Sequence, residues 1–368
     1  MRARWIMGLL IATTLAPNPA HADVDPRFPD LAAIAATLDE LAAAHPSAMV
    51  SNPSEEYGLP TSEGRQVRAL AVGRGARAVL VVGGLHGREL APPLTALLLA
   101  RALIEGDGLD PDITALLDRA RVHIAPMWNP DGYAFVREAD PEWRKNRAPH
   151  GASIGVDLNR NFDAGWDGAC AGDEDPSSRF YKGPAPGSER ETRLMIAWAR
   201  DIGFEAVLDL HASGRVVVVG PACGQRPRAD LDALAVELAE RLGYAGATRR
   251  PSGDGELHQW FAGRGTPVAL LVELGQEQQP DYDAAVAEAD AVMPGLIWAL
   301  GDGAPRGGGC RAAPHSPGLA AVLALGLVIL PRRRRRRSAH DGPRCGSATA
   351  GRAANRMRAD PDRPPARR

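Results

Sequence analysis

Four cysteines among 368 residues are too few for a disulfide framework to organise this chain. Two of them, Cys310 and Cys345, lie near the C-terminus. The body holds only Cys170 and Cys223, which an oxidising compartment would join; two free thiols are the alternative. Excess charge is also missing: the net charge of −2 gives no reason to expect a nucleic-acid surface. No segment repeats, which argues against a solenoid or propeller. What is present is ordinary for a globular protein, 45% hydrophobic and 24% charged residues, enough chain for one large or two smaller domains.

The two ends stand apart from the body. Arg2 and Arg4, an apolar core from Trp5 to Ala16 and the small-x-small site Ala20-His21-Ala22 come in the order of a signal peptide, residues 1–22. The expectation is an exported protein beginning near Asp23, with no long propeptide before the domain. At the other end, 302–316 reads as a linker carrying Cys310, and 317–337 as an apolar segment closed by Arg332 to Arg337. The run Leu319 to Leu330 falls short of the about 20 residues a transmembrane helix needs, and extending it backward gives a marginal span. The arginines would hold it on the cytoplasmic side. Cysteine, apolar run and arginine cluster in this order resemble the C-terminal sorting tags of myxobacterial exported proteins, which implies transient membrane anchoring and cleavage near Cys310. Residues 338–368 depart from that pattern, because such tags stop at the basic cluster; their Arg/Pro/Ala-rich composition predicts a disordered basic tail.

Between these ends, 23–301 reads as one domain. Asp30 is placed to cap a helix with Leu31, Ile34, Leu38 and Leu41 on one face. Strands are expected over 68–72 and 78–85, paired as a hairpin through Gly73-Arg74-Gly75. Helix 92–103 and strand 122–127 follow, the strand ending at the turn signal Asn129-Pro130-Asp131-Gly132. A long irregular stretch, 139–186, is of the kind that carries function. Ser188-x-x-Glu191 reads as a capping box opening a helix to Arg200. Then come strands ending at His211 and over 216–219, a helix over 228–242, a strand over 267–273 and a helix over 281–300 that Pro294 would kink. Alternating strands and helices predict an α/β fold, a mixed, mostly parallel sheet with helices on both faces.

The chemistry gathers at strand ends. The β-branched run Val79 to Val82 stops at Gly83-Gly84, and His86 and Glu89 follow. Open α/β sheets bind ligands in the crevice beyond the carboxyl ends of their strands. There His86 and Glu89 could give a nitrogen and a carboxylate to one Zn²⁺, with His211, closing another apolar run, as the third ligand. A hydrolytic zinc needs three protein ligands and one open position. Glu273 terminates a third apolar run and would face the same crevice.

Taken with Asn129-Pro130-Asp131-Gly132-Tyr133, Trp143-Arg144-Lys145-Asn146-Arg147, Gly155-Val156-Asp157-Leu158-Asn159-Arg160-Asn161 and Asp209-Leu210-His211, this order resembles the zinc metallocarboxypeptidases of the carboxypeptidase A type. The resemblance runs from about Asp23 to Leu300. It implies that His86, Glu89 and His211 hold one Zn²⁺, and that Glu273 is general base and acid. It implies that Arg144 stabilises the oxyanion, that Asn159 and Arg160 clamp the substrate's terminal carboxylate, and that Arg88 lines the groove. The expected partner is a peptide or protein C-terminus, met by a monomer. Asp209 would orient a ligand or serve structure alone, and His123 is expected in the core.

Two departures stand out. The family's mobile tyrosine has no counterpart in Thr248-Arg249-Arg250-Pro251-Ser252-Gly253, where Arg249 or Arg250 is the candidate substitute. An ungapped match puts His258 at the floor of the side-chain pocket, and a shift of one or two residues puts Leu257 or Glu256 there. Two further functions share the sequence: a murein-peptide amidase or endopeptidase on this fold, and an inactive peptide-binding homologue.

Overall fold

The computed structural model describes residues 24–246 and 248–301. The signal peptide, linker, apolar segment and basic tail read from the sequence lie outside the described residues, as do Cys310 and Cys345.

Elements follow in chain order. They are α1 (Leu31–Ala44), β1 (Met49–Ser51), α2 (Pro53–Glu56), β2 (Ala69–Val72), β3 (Arg77–Val82), α3 (Ala91–Gly106), α4 (Pro111–Arg119), β4 (Ala120–Ala125) and α5 (Pro130–Glu138). A small hairpin of β5 (Pro149–His150) and β6 (Ser153–Ile154) and a 3-10 turn, Leu158–Arg160, punctuate the irregular stretch. Then come α6 (Arg190–Ile202), β7 (Ala206–Ala212), β8 (Val216–Val218), α7 (Ala229–Arg241), β9 (Thr248–Arg249), α8 (Leu257–Gly263), β10 (Val268–Leu274) and α9 (Tyr282–Gly301).

One sheet of eight strands runs in the order β1-β2-β4-β3-β7-β10-β8-β9. The central neighbours β4, β3, β7 and β10 are parallel, and antiparallel pairs join β1, β2 and β8 to them. This is the mixed, mostly parallel α/β fold expected. All seven residues of β7 are buried, which requires cover on both faces of the sheet.

Asp30 caps α1 as expected, its side chain accepting from Ala33 N at 2.7 Å. Ser188 does not cap α6: Glu189 is its N-cap, and the Ser188 hydroxyl donates to the Glu189 carboxylate. The hairpin through Gly73-Arg74-Gly75 does not form either, because β4 lies between β2 and β3. The turn closes on the chain entering β4 instead, Arg74 N donating to Leu117 O at 2.7 Å. A Cβ at Gly75 would stand 1.8 Å from the Arg119 carbonyl carbon, so only glycine permits this approach. α9 passes the length and hydropathy test for a membrane span, yet Ala285, Val292, Leu296 and Ala299 are buried in the protein's own core. It continues as helix through Pro294.

Candidate metal centre

β3, β7 and β10 are adjacent and parallel, so their carboxyl ends open on one crevice. His86 and Glu89 follow β3, His211 is the penultimate residue of β7, and Glu273 stands directly across from His211 in the β7–β10 register. The hydrogen bond from Trp128 N to Gly83 O, and that from Asn129 N to Gly84 O, fix the chain where it leaves β3. Asn129 also donates its side-chain amide to Leu85 O at 3.1 Å.

His86, Glu89 and His211 are almost wholly buried. His86 Nδ1 lies 2.8 Å from Glu89 Oε1. His211 Nδ1 lies 3.0 Å from His86 Nδ1 and 3.1 Å from Glu89 Oε2. Two imidazole nitrogens facing each other across a carboxylate suit a shared cation better than a hydrogen-bonded pair. Bonds of about 2.0–2.1 Å to a tetrahedral zinc would set its donors about 3.3 Å apart, close to these separations. The two-nitrogen, one-carboxylate set therefore fits Zn²⁺.

Both imidazoles are held from behind. His86 Nε2 is 3.2 Å from Asp157 Oδ1, and Asp157 Oδ2 accepts from Arg144 Nε at 2.9 Å. Asp157 also caps the 3-10 turn that carries Asn159 and Arg160, accepting from Asn159 N at 3.0 Å. Burial opposes its charge, but Arg144 and His86 outweigh this and hold the carboxyl far below the usual range. His211 Nε2 lies 3.0 Å from Asp209 Oδ1, too oblique for a hydrogen bond, so that contact is electrostatic. Burial alone would push the His211 imidazole down; Asp209 and Glu89 outweigh it and raise its pKa.

A cavity of about 200 Å³ opens on these ligands. Its walls include Arg144, Asn159, Arg160 and Glu273, with Arg88 on one side. Arg160 donates to Asn159 O at 2.6 Å, Glu256 Oε1 at 3.1 Å and Ser252 Oγ at 3.2 Å. Asn159 Oδ1 accepts from Leu257 N at 2.8 Å. Burial raises the Glu273 carboxyl, opposed by His211.

His258 does not line this cavity. α8 begins at Leu257, so His258 turns into the core within the first helical turn and is fully buried, while the N-cap Glu256 faces the opening. Both ring nitrogens of His258 lack a hydrogen-bond partner, and burial pushes its imidazole down to about 3. Burial pushes the Glu256 carboxyl up to about 7, opposed by Arg160. Of the two arginines considered for the missing tyrosine, Arg249 lines the cavity, whereas Arg250 pairs with Asp232 at 2.7 Å away from it. Cys170 and Cys223 form a disulfide. It braces the rim, since Asp254 N donates to Cys170 O and Cys223 N to Asp254 Oδ1, each at 2.8 Å. His123 is a core residue beside Trp198 and Phe204, as expected.

Asp157 is the neighbour of the metal ligands that received no role from the sequence alone, and Glu256, a candidate for the pocket floor, is found paired with Arg160. Asp157 stands inside the Gly155–Asn161 motif, but apolar neighbours on either side do not decide whether an acid is buried, and the structure is what places it against His86 and Arg144.

A model of the family described as zinc carboxypeptidase matches residues 34–277. Carboxypeptidase A2 of Mus musculus is 32% identical over 217 residues, 56% of this chain and 52% of that protein. A protein described as inactive metallocarboxypeptidase ECM14, from Arthroderma benhamiae, is 32% identical over 204 residues, 50% of this chain and 34% of that protein. The chain thus spans about half the length, or less, of the curated relatives it matches. Among solved structures, carboxypeptidase A from Helicoverpa armigera superposes with a TM-score of 0.66 at 21% identity, covering 75% of this chain and 74% of that one. At that identity the likeness shows the fold.

Proposed function

The chain belongs to the zinc carboxypeptidase family, and from that premise we propose that it is an exported, zinc-dependent metallocarboxypeptidase removing single residues from peptide C-termini. The observation that carries this is the meeting of His86 Nδ1, the Glu89 carboxylate and His211 Nδ1, with Glu273 across the register from His211.

His86, Glu89 and His211 would hold the ion. When bound, Zn²⁺ lowers the pKa of a water and polarises the scissile carbonyl. Glu273 takes the proton of the attacking water and passes it to the leaving amine. Arg144 lies 3.6 Å from Glu89 Oε1, and its guanidinium is the fixed positive charge beside the carbonyl oxygen as that oxygen becomes negative. Asn159 and Arg160 hold the terminal carboxylate and Arg88 the chain preceding it.

For export and sorting, 1–22 is the leader, 23–301 the catalytic domain, 302–316 the linker with Cys310, 317–337 the temporary anchor and 338–368 the basic tail. The active unit is a monomer whose partners are peptide or protein C-termini, with no role in nucleic-acid binding.

The experiment is a zinc-loaded digest of a mixed peptide library. Stepwise loss of C-terminal residues, stopped by a chelator, supports the proposal; one bound zinc with no release returns the reading to an inactive peptide-binding homologue. One observation favours a second substrate class. Arg160 is already satisfied by Glu256 and Ser252, so the terminal carboxylate has a weaker claim on it. Cleavage of murein peptides, undiminished when the C-terminus is amidated, would select the amidase or endopeptidase.

A further inference from the structure

One oxygen of the Glu273 carboxylate is already engaged in this structure. Its Oε1 accepts from Arg249 Nη2 at 2.9 Å. An oxygen committed to a guanidinium is a poor acceptor for a second, reactive proton. Arg249, for its part, is lightly held. It sits on the two-residue edge strand β9, and its side chain remains 47% exposed against 15% for Glu273. Among the described residues Glu273 is its one side-chain partner. Of the other cations on the cavity wall, Arg144 is held by Asp157, Arg160 by Glu256 and Ser252, and Arg88, among the described residues, reaches only Glu142, at 3.5 Å. Arg249 is the wall's one cation whose single tether is the acting base.

A peptide's terminal carboxylate entering the cavity offers the same planar, two-oxygen acceptor that Glu273 offers. Transfer of Arg249 from one carboxylate to the other gives the substrate its counter-charge and returns Oε1 to the water. A ligand shifts such an equilibrium by its preference for one arrangement, and a terminal carboxylate has that preference where an amide does not.

Building on the assignment of Glu273 as base, we propose that Arg249 is a positioning residue: it clasps Glu273 in the free protein and moves to the substrate's terminal carboxylate, so that a free carboxylate releases the base. The carboxylate then contributes to turnover as well as to affinity.

The test is kcat and KM on one peptide as free acid and as C-terminal amide, with zinc-loaded wild type, Arg249→Ala, Arg249→Lys and Arg250→Ala. Wild type is expected to favour the acid in kcat as well as in KM. Arg249→Ala should lose about 10- to 100-fold in kcat/KM on the acid, the worth of one charge-assisted contact. On the amide its kcat should rise severalfold, because Glu273 is no longer clasped. The acid-to-amide ratio therefore collapses, Arg249→Lys restores part of it, and Arg250→Ala keeps the wild-type ratio. Arg249→Ala slowing both peptides equally, or raising only the KM of the acid, overturns the proposal while leaving the carboxypeptidase reading intact. Wild type that binds zinc and turns over neither peptide overturns both.

Discussion

Asp157 joins the two halves of the site: one oxygen faces His86 Nε2, the other holds Arg144, and the first also accepts from Asn159 N. Asp157→Asn keeps the shape but removes the charge that aims His86 and balances Arg144. It is expected to weaken zinc affinity about 10- to 100-fold, read by competition with a fluorescent chelator. Glu273→Gln is expected to lower kcat by about 10²- to 10⁴-fold with zinc content unchanged, measured by turnover beside metal analysis. At this scale the sequence shows His86, Glu89, His211 and Glu273 clearly, because each is a polar residue closing or following an apolar run. It hides which oxygen faces which nitrogen. His258 illustrates the limit: the choice among Glu256, Leu257 and His258 turns on where α8 starts, a matter of one residue that only the cap geometry decides.

Among the elements, strands are legible where they are buried. β4, β7 and β10 each fall within about two residues of the runs that mark them, while β3 ends at Val82, three residues before the expected end at Leu85. The helices α4 and α5 were hidden by their turn-like openings, Asp110-Pro111 and Asn129-Pro130, where the side chain that signals a turn is in fact the N-cap. Pairing was the harder part. Gly73-Arg74-Gly75 carries a hairpin's composition, but its glycines serve the close approach to Arg119 and Ala120 that admits β4 between β2 and β3. Gly75→Ala puts a carbon into that backbone and is expected to cost about 1–3 kcal/mol, with a lower urea midpoint and an unchanged slope.

At the scale of the whole molecule, the polar ring beneath the site bears on stability. Glu191 is buried behind the Arg144 loop, with Oε2 accepting from Asn146 Nδ2 and Oε1 without a partner. Burial, reinforced by Glu189 and Asp131, pushes its carboxyl up to about 7. An acid raised on folding stabilises fully below its unfolded pKa of about 4.5, and that contribution is lost as pH rises through about 7. Glu191→Gln removes the cost of the buried charge. Its unfolding free energy relative to wild type is expected to improve between pH 5 and pH 8, on the order of 2 kcal/mol, read from urea unfolding at the two values. A constant difference at both would place the carboxyl's proton elsewhere. The sequence foretells this scale well in architecture and poorly in such clusters, since Glu189, Glu191, Asn146 and Asp131 come from three separate segments.

The proposed function needs one ion gathered by three side chains, with one carboxylate beside it, at the end of a peptide. The most direct measurement is a mass-spectrometric time course of a single peptide with the zinc-reconstituted protein. The expected result is a ladder of products shortened one residue at a time from the C-terminus, absent after chelation and absent with Glu273→Gln despite one bound zinc per chain. Internal cleavage, or the same ladder from Glu273→Gln, would contradict it.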